Sequence, residues 1–555
     1  MTRYGRRGFL VRSGAAAATA ALPVSMLFQR RVRAAGPFGA LVPDPNKILD
    51  LPPGFSYAIL ETAGEDMDDG YRVPGRPDGM AAFAGPGGTV ILMRNHENSP
   101  GDTDLGPYPD GEIVPAPEAY DPIGMGGVTR LVVDGADFTR VSSNLVLIGT
   151  IRNCAGGISP WGWLSCEENT DEGHGYVFVC PTDAESVQPP QRVVPYGRFN
   201  HEAAAVDPET LICYLTEDRG DSSFYRFVPS AKDKPFEGQL QALKVVGEDA
   251  FETTNMKIGD TVEVEWVDVD EPDPEDDTVR VEAQDKGAAI FVRGEGLWIH
   301  DGEVYICSTS GGAVESGQVF KLTPDGDGGT LELLTMSEDT DVLEYPDNIT
   351  VAPWGELFMA EDGDGEQYIR ALSAEGEIYD FARNAVSDSE FAGVCFSPDG
   401  KAMFVNIQGD GLTLVVTGPF PSLDPGETDT DTDGTDTDGT GTDGTDTDDP
   451  STSGTDSTDG SGSDSDGSTS GTGTSDGGTG TGTGGTGGSD SSDSSDTTAG
   501  PDAGGDTDTA GMSEDGGCGC DVAESRPGLG LAATVVAVAG ARALLTRGDD
   551  DDDAV

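Results

Sequence analysis

Six stretches of this chain carry acids, amides, a histidine or a cysteine at both ends of a short apolar hairpin. They run from Asp78 to Glu97, Asn153 to Glu168, His201 to Asp218, Arg293 to Thr309, Asp347 to Asp362 and Glu390 to Gln408. Carboxylates gathered from distant places with one thiol among them have the chemistry of a cation site. Hard oxygens suit Ca2+ and Fe3+, and a thiolate in the set favours a transition metal over calcium alone. The side chains expected to meet are Cys154, Glu168, Glu202, Glu295, Asp347 and Glu361. Any one of these acids could be a loop cap or a solvated charge, and it is their recurrence at equivalent hairpin ends that argues for shared ligation. Cys154 differs from Cys180, Cys213, Cys307 and Cys395, which sit among Val, Ile, Tyr and Phe as small buried hydrophobes do. It lies in Asn153-Cys154-Ala155-Gly156-Gly157, a flexible backbone that lets a thiolate approach a metal.

The elements that must position these groups are legible in the same stretches. Each is an apolar run, a Gly/Pro/Asp turn and a second apolar run, the local signature of an antiparallel hairpin. A hairpin cannot bury both faces alone, and a closed ring of small sheets also removes exposed edges. The spacing therefore predicts an all-β fold over residues 37–420, a six-bladed β-propeller with loop insertions. The start of a hairpin's first strand and the end of its second share one rim, so the ligands would face one mouth of the axial channel. Whether residues 271–280 form a lid or a loose insert is left open by the sequence.

Composition bounds the rest. The 555 residues hold 101 acidic against 32 basic side chains, a net charge of −69, which excludes a nucleic-acid partner, whose phosphates need Lys and Arg. Residues 421–517 are rich in Thr, Asp, Gly and Ser, with no Lys or Arg and almost nothing apolar; this is the composition of a disordered, self-repelling stalk. Residues 1–34 carry Arg6-Arg7-Gly8-Phe9-Leu10, a modestly apolar Ala15 to Leu27 and a small-residue cleavage site near Ala34, the pattern of a twin-arginine signal peptide. Residues 518–555 contain Cys518 and Cys520, an apolar stretch from Leu529 to Ala541 too short for a comfortable membrane span, and Arg542 and Arg547. This tail is similar to the MYXO-CTERM sorting signal, although Asp549 to Asp553 depart from its usual basic end. Together these segments predict export to the periplasm or cell surface, with the tail as a membrane or surface anchor. Residues 37–420 contain no GxSxG elbow, no GxxxxGK[ST] loop and no HExxH motif.

Eleven fragments in order, NHE, GT-IRNCAGG, PWGWLSCEE, GRFNHEAAAVDP, YLTED, FYRFVP, FVRGEG, YPDNI, MAED, EFAGVCFSPDG and FVNIQ, resemble the PhoX family of secreted alkaline phosphatases. The resemblance implies an axial site of Fe3+ and Ca2+ that hydrolyses phosphomonoesters, with small phosphate esters as substrates and a monomeric catalytic domain. Carried over residue by residue, it makes Cys154 an iron ligand, Glu202 a bridging or iron ligand and Glu295, Asp347 and Glu361 further metal ligands, and it assigns Arg293 and Asn95 to the phosphoryl group. Glu168 is matched as a ligand with Glu167 as the alternative: the family's PWGTWL is PWGWL here, and a one-residue deletion in a strand swaps the side-chain face. His96 and His201 are expected to support their neighbours. Two other readings stand beside this one, a calcium-dependent propeller phosphotriesterase or lactonase, and a non-catalytic surface propeller locked by metal.

Overall fold

The computed structural model describes residues 36–109, 116–374 and 376–423; the proposed signal peptide, nearly all of the stalk and the sorting tail lie outside them. The described residues are almost entirely β-structure, with an α-helix at Val279–Asp285. All six expected hairpins form. Their first strands are Pro77–Ala84, Asn153–Ser159, His201–Val206, Gly294–His300, Pro346–Val351 and Phe391–Phe396, and each returns through an antiparallel partner ending at His96, Glu167, Glu217, Ser308, Glu361 and Ile407.

The first strands pack against one another in sequence, and the sixth packs on the first, so they enclose an axis in a propeller-like arrangement. Apolar cores lie between neighbouring units. Met93, Val128 and Phe178 join the first to the second, and Leu164, Leu215 and Phe227 the second to the third. Phe358, Phe381, Phe396 and Val405 join the fifth to the sixth, and Leu92, Met80 and Phe404 the sixth to the first. The strands thus bury both faces, which is why they read as near-continuous apolar runs rather than as alternation.

The sheets number five among the described residues. Thr261–Asp268 pairs with Lys234–Val245 on one side and with Gly328–Met336 on the other, so the third and fourth hairpins share one nine-stranded sheet. Thr261–Asp268 thereby covers the outer edges of both Lys234–Val245 and Gly328–Met336.

The ring is closed by the beginning of the described chain. Leu49–Asp50 pairs with Ile378–Asn384 in the fifth sheet, and Ser56–Thr62 pairs with Leu412–Thr417 in the sixth. Arg94 fastens this seam from within. Its guanidinium donates to Glu61 Oε2 at 2.8 Å, to Thr129 Oγ1 at 3.1 Å and to Thr413 Oγ1 at 2.5 Å, linking the first sheet to both strands of the closure. Arg94 and Glu61 are each 1% exposed. Removing one partner of a buried pair strands the other, so Arg94→Ala is expected to cost about 3–5 kcal/mol, read as a lowered denaturation midpoint.

Candidate metal centre

Each hairpin carries a bulge at the same place, just after its first strand begins: between Pro77 and Met80, Asn153 and Gly156, His201 and Ala204, Gly294 and Leu297, Pro346 and Ile349, and Ala392 and Cys395. A bulge leaves residues outside the ladder and re-aims their side chains. Five of the six bulges contain a ligand candidate: Asp78, Cys154, Glu202, Glu295 and Asp347. Small residues follow them because the first strands touch there. A Cβ on Gly79 would fall 2.5 Å from Ala155 Cα, and one on Gly296 would collide with the Asp347 carbonyl.

The second contribution comes from the residue just past each returning strand. Glu97, Glu168 and Asp362 occupy that position in the first, second and fifth hairpins, and Glu390 precedes the sixth. Four overlapping triads result: Asp78, Glu97 and Cys154; Cys154, Glu168 and Glu202; Glu202, Glu295 and Asp347; Asp347, Asp362 and Glu390. Within each, one potential ligand atom per residue lies within 4.8 Å of the others. Cys154, Glu202 and Asp347 belong to two triads each, so the four form one continuous arc.

Two arginines face this arc. Arg293 grips Asp218 through Nε to Oδ1 at 2.9 Å and Nη2 to Oδ2 at 3.0 Å, and Nη2 also donates to Glu295 Oε1 at 2.9 Å. Arg152 donates through Nε to Glu97 Oε1 at 3.1 Å and pairs through Nη2 with Glu168. Their side chains are 21% and 26% exposed, so both reach the mouth of the well. Both hold left-handed backbone, at φ 52° and 51°. For a non-glycine residue this costs on the order of 1–3 kcal/mol and persists where the surroundings enforce it.

The well repels its own ionisation. Burial first, with like-charged neighbours adding, holds the carboxyls of Asp78, Glu202, Glu295 and Glu390 well above their ordinary range and pushes Asp347 up to about 7 and Glu168 up to about 8. Asp362 is raised for the same reasons, and the Cys154 thiol is pushed well up by burial and by Glu168 and Glu202. Cations would replace those protons. The donor set fits them: buried carboxylate oxygens with one sulfur, and an Asp78 Oδ1 that is buried without a hydrogen-bond partner.

Five of the six expected ligands, Cys154, Glu168, Glu202, Glu295 and Asp347, therefore come together, and Arg293 stands over them. Glu361 does not join them. It points to the other side of its strand, where Oε1 accepts from Arg370 Nε at 2.8 Å and from the Glu344 backbone at 2.9 Å, and the next residue, Asp362, enters the well instead. Glu167 and Glu217 hold the position equivalent to Glu361 in their own hairpins. They too turn away, Glu167 to His174 Nδ1 at 2.7 Å and Glu217 to the Tyr225 hydroxyl at 2.7 Å. Ser159 pairs with Gly162 across the turn and Asn153 with Glu167, and it is Glu168, one residue on, that joins the triads.

Asn95 is also not where a substrate could meet it. Its Nδ2 donates to the Cys154 carbonyl at 3.0 Å and the Ala155 carbonyl at 2.6 Å, and its Oδ1 accepts from Trp163 Nε1 at 2.7 Å. The side chain is spent on holding the bulge that aims Cys154. Asn406 does the same for the Asp78 carbonyl, and Thr216 for that of Glu295. His96 and His201 are buried supports: His96 bridges Gly75 O and Thr129 Oγ1, and His201 bonds Gly197 O beside the Phe199 ring. Residues 271–280 are pinned near the second and third hairpins, Arg198 binding the carbonyls of Pro274 and Glu275, and Arg219 and Arg280 binding Asp277.

Sequence reasoning passes over Arg152, and it names Asp78, Glu97, Asp218, Asp362 and Glu390 as hairpin ends without placing them in the axial site. Aligning the hairpins on the register that favours Glu168 over Glu167 would find Glu97, Asp218 and Asp362 at the same position.

No curated protein matches this chain. Among solved structures it is similar to Pseudomonas fluorescens PhoX in complex with vanadate, a transition-state analogue, at 19% identity over 67% of this chain and 96% of that one, with a TM-score of 0.55. A gluconolactonase from Xanthomonas campestris aligns at 12% identity over 69% and 98% of the two chains, with a TM-score of 0.36. The first of these supports the same fold, and the second is too distant to carry an argument. The sequence profile described as alkaline phosphatase PhoX matches residues 36–145 and 139–411, most of the chain and every hairpin that feeds the arc, and on that match the protein belongs to the PhoX alkaline phosphatase family.

Proposed function

We propose that the protein is an exported phosphomonoesterase that works with Fe3+ and Ca2+ held on the axis of a six-bladed propeller. The observation that carries this reading is the continuous arc of four triads beside Arg293. The six-blade count is supported by the six first strands that ring the axis, the third and fourth blades being fused at their outer edges.

Asp78, Glu97, Cys154, Glu168, Glu202, Glu295, Asp347, Asp362 and Glu390 would hold the cations, with Cys154 favouring iron at the two triads it shares. Such cations supply Lewis acidity toward phosphoryl oxygens and lower the pKa of an attacking water. The chain's own part is positioning. Asp218 fixes the plane of the Arg293 guanidinium through two bonds, so that its charge would be held in place at the mouth where a phosphoryl group arrives. Arg152 braces Glu97 and Glu168 on either side of Cys154, so that the sulfur is presented between two fixed carboxylates.

Small phosphate esters are the substrates of this reading, and nucleic acid is not, given a net charge of −69. Residues 1–34 would direct export, residues 37–420 form a monomeric catalytic domain, residues 421–517 act as a stalk, and residues 518–555 sort or anchor the protein at the periplasmic or outer surface. The test is hydrolysis of p-nitrophenyl phosphate by purified protein, with and without Fe and Ca, together with elemental analysis. Turnover that depends on both metals is expected. Inactivity of fully metallated protein overturns the reading, and activity with calcium alone that survives Cys154→Ser points to the calcium-only hydrolase.

A further inference from the structure

The six hairpins repeat one backbone bond. The residue before each first strand gives its carbonyl to the amide just past the returning strand: Glu97 to Arg76 at 3.0 Å, Glu168 to Arg152 at 2.9 Å, Asp218 to Asn200 at 3.1 Å, Thr309 to Arg293 at 2.9 Å, Asp362 to Tyr345 at 2.9 Å and Gln408 to Glu390 at 3.3 Å. The six amides therefore mark equivalent positions around the mouth. Five of their side chains act on the well. Glu97, Glu168 and Asp362 complete triads, Asp218 carries Arg293, and Gln408 Nε2 donates to Asp78 Oδ2 at 2.8 Å and Glu97 Oε2 at 3.0 Å. The sixth is Thr309. It is neutral and buried, and its hydroxyl makes no hydrogen bond among the described residues.

Thr309 stands on the hairpin that also presents Arg293 and Glu295. A phosphoryl dianion approaching the ring meets a carboxylate at four of the six equivalent positions, and at the Gln408 position an amide already committed to Asp78 and Glu97. Only the fourth hairpin offers an uncommitted donor in a gap without charge, next to a guanidinium.

We infer that Thr309 is a phosphate-contacting residue: the substrate's phosphoryl group seats at the fourth hairpin, with the Thr309 hydroxyl donating to a non-bridging oxygen beside Arg293. This rests on the phosphatase reading and adds to it the place and orientation of the ester. The neutrality of position 309 is part of the recognition, because a carboxylate there would put negative charge at five of the six positions and shut the gap beside Arg293.

The experiment uses the full chain, metal-loaded, as Thr309→Ser, Thr309→Val and Thr309→Glu. For each, kcat and KM on p-nitrophenyl phosphate, the inhibition constant of inorganic phosphate, metal content and melting temperature are measured. Serine keeps the hydroxyl and is expected to match the parent protein. Valine is similar in shape and lacks the donor; it is expected to weaken phosphate inhibition and raise KM about ten- to a hundredfold at unchanged metal content, the loss of one hydrogen bond to a charged group. Glutamate is expected to weaken phosphate inhibition more than a hundredfold. A valine variant with the parent KM and phosphate inhibition overturns the inference, and its near-isosteric shape keeps the inference falsifiable if the glutamate variant fails to fold. With such a valine result the phosphatase reading stands as long as the parent hydrolyses the ester, whereas an inert, fully loaded parent overturns the reading itself and the inference with it.

Discussion

Arg293→Ala is expected to lower kcat/KM for a phosphomonoester about a hundred- to a thousandfold, the scale on which a preorganised donor aimed at developing negative charge acts. The guanidinium is held in place before substrate arrives, by two bonds to Asp218 and one to Glu295. It therefore loses little entropy on binding a phosphoryl group. Arg293→Lys keeps the charge and gives up the planar fork, so it is expected to recover only part of the loss. Neither change removes a ligand atom from the arc, and elemental analysis should find the metals retained. Full activity of a metal-replete Arg293→Ala protein would show that the phosphoryl group is held elsewhere.

Stripping the metals is expected to make stability fall as pH rises, which is the reverse of the usual behaviour of carboxylate-rich proteins. In an unfolded chain Asp347 and Glu168 release their protons near pH 4, but in the folded, metal-free well they hold them until about 7 and about 8. A group whose pKa is raised on folding contributes stability that is complete below its unfolded pKa and is lost as pH climbs through its folded one. On these two groups the chelated protein should thus be most stable near pH 4 and lose stability steadily to about pH 8. A tenfold change in a group's proton affinity on folding is worth about 1.4 kcal/mol, so these two buried carboxyls alone account for several kcal/mol. Melting temperatures across this range should drop by about 10 °C without metal and stay nearly level with it. A chelated protein that gains stability with pH would mean that these carboxylates do not share a well.

The parts of this protein that are legible in the sequence are those governed by local pattern. The turns between Ala84 and Thr89 or between Ser159 and Gly162, flanked by apolar runs, announce hairpins without any knowledge of the fold. Cys154, Glu202, Glu295 and Asp347 are legible because each begins a hairpin in the same phase. Glu361 is mistaken for Asp362 because strand alternation makes adjacent acids equally plausible until the register is known, and the register depends on a bulge no residue type announces. Glu390 has no precedent, since Arg76, Arg152, Asn200, Arg293 and Tyr345 fill its position in the other hairpins. Asn95 misleads for a different reason. The bulge at Cys154 and Ala155 leaves carbonyls that need a donor, and that need exists only once two hairpins have packed together.

The seam of the ring lies between segments that are far apart in the chain: Ser56 and Thr417, paired at the closure, are separated by 361 positions. A nascent chain can carry every ligand of the arc before the ring is shut, because the pairing that shuts it needs Leu412–Thr417, which is made after Glu390. Once loaded, cations held by the four triads would tie neighbouring hairpins to one another from the first to the sixth, and by mass action would favour the closed ring over the open chain.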